Sequence, residues 1–359
     1  MHSPAAFLNL FPETASILHP IPRLDFQMHP PDQEELYLLY ELQKPYIART
    51  PLLYSETLSN LINGSVFIKA ENLQRTGAFK FRGALSRLLQ LSDSEKEHGI
   101  IAYSSGNFAR GLATAGRLLG INIHIVMPAD APEIKILAAR QQGAEVILCH
   151  EFSPSREEAA SQQAIDLARQ HNYTLLHPFD DLKLIKGQAS VTLELLEQAQ
   201  EKNITLDSLV CPVGGGSLAA GAKLAIEDCS QKPLLTTAEP EHYAGLKKSL
   251  VNQQHERDNG QTPSICDALQ AVTPGVNNFD ILRNSNSQCL AVKEVFIREA
   301  IQLSFRELKL VLEPSGAIGI ATLIQYPQYF INQSVSIIAT GGNIDSRQYR
   351  DLLIQDDIN

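Results

Sequence analysis

The chain has 359 residues, 44% of them apolar, which suits two domains or one large α/β unit with a substantial core. Its 40 acidic residues outnumber 30 Lys and Arg for a net charge of −10, which argues against nucleic acid or an anionic membrane as partner. No apolar run approaches the roughly 18 residues that cross a bilayer, and no basic-then-apolar leader opens the chain, so secretion is not expected.

Residues 1–31 are broken by Pro4, Pro12, Pro20, Pro22, Pro30 and Pro31 and read as an extended arm, laid on the surface or on a partner subunit. Asp32 followed by Glu35 predicts a capped helix running to about Leu42, which Pro45 and Pro51 end. β-rich runs then alternate with helical patterns. Strands are expected at Val66–Lys69, Ile100–Tyr103, Ile121–Met127, Glu145–Cys149, Thr174–His177, Ser208–Val213, Leu234–Ala238 and Val335–Ala339. Helices are expected at Ala84–Leu91, Phe108–Leu119, Glu133–Gln142, Ser155–His171, Gln188–Lys202 and Leu218–Asp228. This alternation implies an α/β fold of parallel-type sheets flanked by helices. Active sites of such folds lie where strand ends turn into helices. The five cysteines form no CxxC pair and no metal-like spacing with histidine, as in a cytoplasmic protein with reduced thiols.

The richest segment runs from Glu71 to Ala84 and sets Lys80 between Phe79 and Phe81, where a polar turn becomes a helix. Desolvation against aromatic surface lowers a lysine pKa, as a Schiff-base lysine requires. A lysine whose stem lies on apolar surface with its head in water is the plainer reading of that segment alone. Three strand-to-helix turns accompany it. Val213-Gly214-Gly215-Gly216-Ser217-Leu218 offers backbone amides at a helix N-terminus, a cup for a phosphate. Ser104-Ser105-Gly106-Asn107-Phe108 offers two hydroxyls and an amide suited to a carboxylate. Thr340-Gly341-Gly342-Asn343 offers a neutral hydroxyl at a strand end. Ordinary capping explains each turn taken singly; together with the lysine they suit pyridoxal phosphate acting on amino acids.

The chain resembles the fold-type II pyridoxal-phosphate enzymes of the threonine/serine dehydratase and serine racemase family, which share the tryptophan synthase beta-like fold. The resemblance rests on Thr76–Ala84, Ser104–Asn107, His177–Asp181, Gly187-Gln188, Pro212–Gly216, Glu313–Ala317 and Gly341–Asn343, in the family's order. It implies a large cofactor-binding domain from residues 32–98 and 177–359, and a small mobile domain, 99–176, that closes over substrate. It further implies that Lys80 forms the Schiff base and moves the substrate α-proton. Phe79 would pack near the ring, Asn107 would bond its hydroxyl, and Thr340 would face its nitrogen. Gly214, Gly215, Gly216, Ser217 and Leu218 would hold the phosphate. Ser104, Ser105, Gly106 and Asn107 would receive the substrate carboxylate, with Phe108 beside them. Glu313 would help hold substrate or ring. A homodimer is expected from the same resemblance.

Departures from the family pattern shape the expectations. Phe108 stands where most members have histidine, which would admit a more apolar substrate side chain. Ser217 replaces a fourth glycine, Ala268 follows Asp267 where glycine is usual, and Thr340 replaces serine. Glu239 matches one carboxylate of the racemases' divalent-metal site, but Gly245 stands where a second is expected, so no tightly held metal is predicted. The sequence runs only from Asp345 to Asn359 beyond the core, so the isoleucine-binding regulatory domain of biosynthetic relatives is not expected. The first functional expectation is β-elimination of L-threonine or L-serine to a 2-keto acid and ammonia. The second is an amino-acid racemase with Lys80 and Ser105 on opposite faces of the substrate. A non-catalytic cofactor-binding protein is the third.

Overall fold

A computed structural model describes residues 33–354 except 152, 154, 228, 259 and 261. The 1–31 arm and the Asp32 cap lie outside the described residues. The capped helix itself runs Gln33–Gln43.

Among the described residues ten strands form two sheets. In chain order they are β1 (Leu52–Tyr54), β2 (Ser65–Ala70), β3 (Ile100–Tyr103), β4 (Ile123–Pro128), β5 (Glu145–Cys149), β6 (Thr174–Leu176), β7 (Ser208–Pro212), β8 (Leu234–Pro240), β9 (Gln288–Val292) and β10 (Ser334–Ala339). The larger sheet has the order β1-β2-β10-β7-β8-β9, and the smaller β5-β4-β3-β6. All pairings are parallel except β1 with β2, where Leu52 faces Lys69. Helices cover both faces, which is why β7 is buried at every position and why its side chains do not alternate with polar ones. Among the described residues no helix is long and apolar enough to cross a membrane.

β1 and β9 are additions to the expected strands, and three expected boundaries move for local reasons. Gly120 takes a left-handed conformation and the Ile121 amide donates back to the Gly116 carbonyl, so Ile121 belongs to a helix cap and β4 starts at Ile123. Asp181 accepts from the Lys183 and Leu184 amides, which starts the next helix at Leu182, ahead of Gln188. The helix after the lysine motif spans Lys80–Leu89 instead of starting at Ala84. Its Phe81, Ala84, Leu85 and Leu88 are spaced for one apolar face and are fully buried. Each large side chain there contributes about 2 kcal/mol of burial.

That helix packs between the Asn107–Leu119 and Leu182–Glu201 helices. The crossing with Leu182–Glu201 is tight, since a Cβ on Gly187 would lie 2.2 Å from the Ser86 Cβ. Beneath it sits a buried ionic cluster. Arg82 donates to both oxygens of Glu71, at 2.7 and 2.8 Å, and to Glu194 at 2.8 Å. The Lys69 Nζ donates to Glu194 at 2.6 Å. The first helical turn is thereby anchored from below, and Lys80 is presented above.

Candidate active site

The carboxyl ends of β3, β7 and β10 converge with the turn that follows β2. Lys80 is the first residue of its helix, with Phe79 as its cap. The turn before it is stitched to the end of β10. The Phe79 amide donates to the Thr340 carbonyl at 3.0 Å, and the Gly342 amide donates to the Gly77 carbonyl at 2.9 Å. Lys80 and Thr340 are thus held by one short backbone lattice.

The Lys80 Nζ donates to the Pro178 carbonyl at 3.1 Å and lies 5.2 Å from the centre of the Phe79 ring. Its stem keeps some solvent contact while the amine is crowded by protein, and desolvation draws its pKa down to about 8. Among the described residues no carboxylate offsets that burial. The amine is therefore partly free near neutral pH, as a nucleophile and base must be.

The glycine loop follows β7, and its helix runs Ser217–Glu227. Gly216 has φ +98°, a conformation that side chains resist. The amides of a helix's first turn have no partner within the helix and point outward, so Gly214, Gly215, Gly216, Ser217 and Leu218 can receive a phosphate. Asn278 braces the loop by donating to the Gly215 carbonyl at 2.8 Å and to the Phe179 carbonyl at 2.9 Å. A Cβ on Gly215 would meet the Phe179 ring at 2.2 Å, so this loop and the Pro178 seat of Lys80 adjoin.

The third part joins the two sheets. Asn107 opens the helix after β3, and its Nδ2 donates to Glu313 Oε1 at 2.7 Å. The Asn343 Nδ2 donates to Asn107 Oδ1 at 2.8 Å and to the Thr76 carbonyl at 2.9 Å. Burial, helped by the nearby Asp267 charge, pushes the Glu313 carboxyl up to about 8, so it is protonated at neutral pH. Thr340 is buried, and its hydroxyl donates to the Ser315 carbonyl at 3.3 Å.

Ser104, Ser105 and Gly106 are half-buried. The Ser104 Oγ accepts the Gly106 amide at 3.3 Å, and a Cβ on Gly106 would meet nothing within 4 Å, so this turn faces open space. Phe108 is placed differently. It is 2% exposed and sits in the core cluster with Phe81 and Leu112, because helical geometry turns it away from the open side. Ala268 belongs to a short turn, and its amide donates to the Ser315 Oγ at 3.1 Å. Glu239 uses both oxygens, at 2.8 Å each, to accept the Leu246 and Lys247 amides of the Gly245–Asn252 helix.

Sequence reasoning assigns no role to Asn343, Asn278, Tyr103 or His177, yet all four hold parts of the site. Asn343 and His177 fall inside motif segments, which was the available signal. Asn278 carries none.

The donor set suits a phosphorylated aldehyde: a desolvated primary amine, a positive-φ glycine cradle at a helix N-terminus, and a neutral hydroxyl. The comparisons agree. Residues 43–341 match the family of pyridoxal-phosphate dependent enzymes. An L-threo-3-hydroxyaspartate ammonia-lyase from Pseudomonas sp is 38% identical over 306 residues, spanning 85% of this chain and 93% of the relative. A serine racemase from Arabidopsis thaliana is 35% identical, spanning 84% of this chain and 90% of the relative. A solved threonine deaminase from T.th. has a TM-score of 0.81 at 37% identity, covering 88% of this chain and 99% of that one.

Proposed function

This chain belongs to the pyridoxal-phosphate dependent enzyme family, and on that premise we propose that it is an ammonia-lyase for small β-hydroxy amino acids. L-Threonine, L-serine and L-threo-3-hydroxyaspartate are the candidate substrates, the last because it names a 38% identical relative. The products are a 2-keto acid and ammonia. The observation that carries the reading is the Lys80 amine, desolvated to a pKa of about 8 and bound through its turn to Thr340.

When bound, pyridoxal phosphate supplies the electron sink for the bond broken at the substrate α-carbon. Lys80 would hold that cofactor, and its Nζ, when free, would accept the α-proton. The Gly214–Leu218 amides seat the phosphate. Thr340 would offer the cofactor ring an uncharged hydroxyl rather than a carboxylate, a setting that suits elimination better than transamination. The Ser104–Asn107 turn receives the substrate carboxylate. Glu313, protonated, holds the Asn107 amide in line without adding negative charge beside that carboxylate. Residues 99–176, which contain the smaller sheet, close over substrate and exclude water.

The test is 2-keto acid release by cofactor-loaded protein from each of the three substrates, with chirality of the recovered amino acid followed in parallel. Lys80→Ala is expected to abolish both the cofactor's protein-linked visible band and turnover. Turnover that survives this change sinks the reading. Racemisation without keto acid would move the assignment to the Lys80 and Ser105 pair.

A further inference from the structure

His177 and the turn it opens touch three parts of the site without a role in the reading above. The chain leaves β6 at Leu176 and enters the Leu182–Glu201 helix through this turn, so it links the smaller sheet to the larger half. The His177 Nδ1 accepts two backbone amides, from Asp180 at 2.8 Å and from Phe179 at 3.3 Å. A nitrogen that accepts carries no proton, so the ring proton of the neutral imidazole sits on Nε2. The Nε2 lies 2.8 Å from the hydroxyl of Tyr103, the residue just before the Ser104–Asn107 turn. Between the two bonded amides and the ring lies Pro178, whose carbonyl accepts the Lys80 Nζ at 3.1 Å.

We propose that His177 is a positioning residue for Lys80, folding as a neutral imidazole the 177–180 turn that presents the Pro178 carbonyl to the Lys80 amine. The inference rests on Lys80 being the reactive amine, as proposed above. A carbonyl that accepts one N–H of a free amine fixes where the lone pair points, so the seat decides the direction in which Lys80 acts as base. Addition of a proton at Nδ1 sets an N–H against the Phe179 and Asp180 amides. Both bonds break and the seat loosens.

The charged and titratable groups facing the ring are Tyr103 from β3, Lys80 from its helix, and Asp180 and Asp181 from the turn itself. Both carboxylates are already engaged. Asp180 accepts the Val276 and Asn277 amides, while Asp181 caps its helix and pairs with Arg87 at 2.9 Å. Burial pushes the imidazole below its ordinary value and Lys80 adds to this, against the pull of Asp180 and Asp181. The turn is therefore intact above the ordinary imidazole range and loosens as pH falls below it.

The experiment uses the full chain and three readouts. Asparagine places an amide oxygen near the Nδ1 position and does not titrate. In the native protein, exchange of the Phe179 and Asp180 amides, corrected for intrinsic rate, should quicken as pH falls below about 6.5. In His177→Asn that dependence should vanish, along with the share of the acid limb of kcat that lies below the ordinary imidazole range. At pH 8, uptake of pyridoxal phosphate onto Lys80 in cofactor-free His177→Ala, read by visible absorbance, should slow on the order of tenfold. Equal exchange profiles in native and His177→Asn protein overturn the inference, as does native-rate uptake by His177→Ala. If His177→Ala does not fold, the His177→Asn profiles decide alone. Exchange and uptake need no substrate, so absence of keto acid alongside the expected profiles would sink the lyase reading and leave this one standing.

Discussion

Lys80 and Arg82 lie two residues apart on one helix, both deep in protein, and their environments treat a cation in opposite ways. At Arg82, burial alone would draw the pKa down, but Glu71 and Glu194 outweigh it and the net shift is upward. At Lys80 no carboxylate answers the burial, and the pKa falls to about 8. Arg82, Lys69, Glu71 and Glu194 bring two basic and two acidic side chains together in one buried cluster, where burial still draws the Lys69 amine down to about 8. Counter-charge decides the direction for the arginine. Lys80 differs from the equally depressed Lys69 in what holds its amine: the Pro178 carbonyl, against the Thr50 carbonyl, Glu194 and Gln198 at Lys69.

The largest break in this comparison should come from Arg82→Met. It leaves two buried carboxylates short of a partner, and about 3–5 kcal/mol of stability should be lost in denaturant titrations. Less should change at Lys80. In cofactor-free protein its depressed pKa means that folding is penalised below pH 8 and gains as pH rises from about 8 toward the ordinary 10.5. The gain should be about 1–2 kcal/mol, held down because the stem is partly hydrated. Lys80→Met should lack that share of the rise and keep the share from Lys69, which burial also draws down to about 8; a rise equal to the native one would show that Lys80 is not responsible. The smallest effect at neutral pH belongs to Glu313→Gln. Burial raises this acid to about 8, so it is mostly neutral at pH 7, where Lys80 is still mostly charged. Turnover at pH 7 should stay within about threefold of native, well under the tenfold that 1.4 kcal/mol would bring. Relative to the variant, the native enzyme should lose folding stability as pH rises from about 4.5 to about 8, and activity above pH 8, where Glu313 ionises. A native-like alkaline decline in Glu313→Gln would remove Glu313 from that role.

These contrasts also mark what the sequence discloses. The Lys80 motif and the glycine loop are legible because each is contiguous and its backbone demands are local. Strand-helix alternation likewise reports parallel sheets, since strands buried on both faces read as continuous apolar runs. β1 is hidden by being three residues long, and β9 because Gln288 and Cys289 interrupt its apolar run. The counter-charge at Arg82 is hidden for a different reason, because Glu194 lies 112 residues away along the chain. The Asn107–Glu313 bond spans 206 residues, so the protonated state of Glu313 has no local signature. Phe108 shows the limit of reading a motif position by position. Its place in the pattern suggests the substrate, and one step around the helix puts it in the core.

The central place of β10 sets a timetable for assembly. β10 lies between β2 and β7 and pairs with β2 at Ser334 and Ser65, a closure of 269 residues. Contacts so distant in sequence form late, since the chain entropy they cost is large until neighbours are in place. On the ribosome, Lys80 and the glycine loop emerge well before the strand that brings Thr340 beneath them. Until then the flanks of β2 and β7 are open edges, the kind that pair with other chains. At the site proposed above, capture of pyridoxal phosphate would thus report that the last central strand has docked.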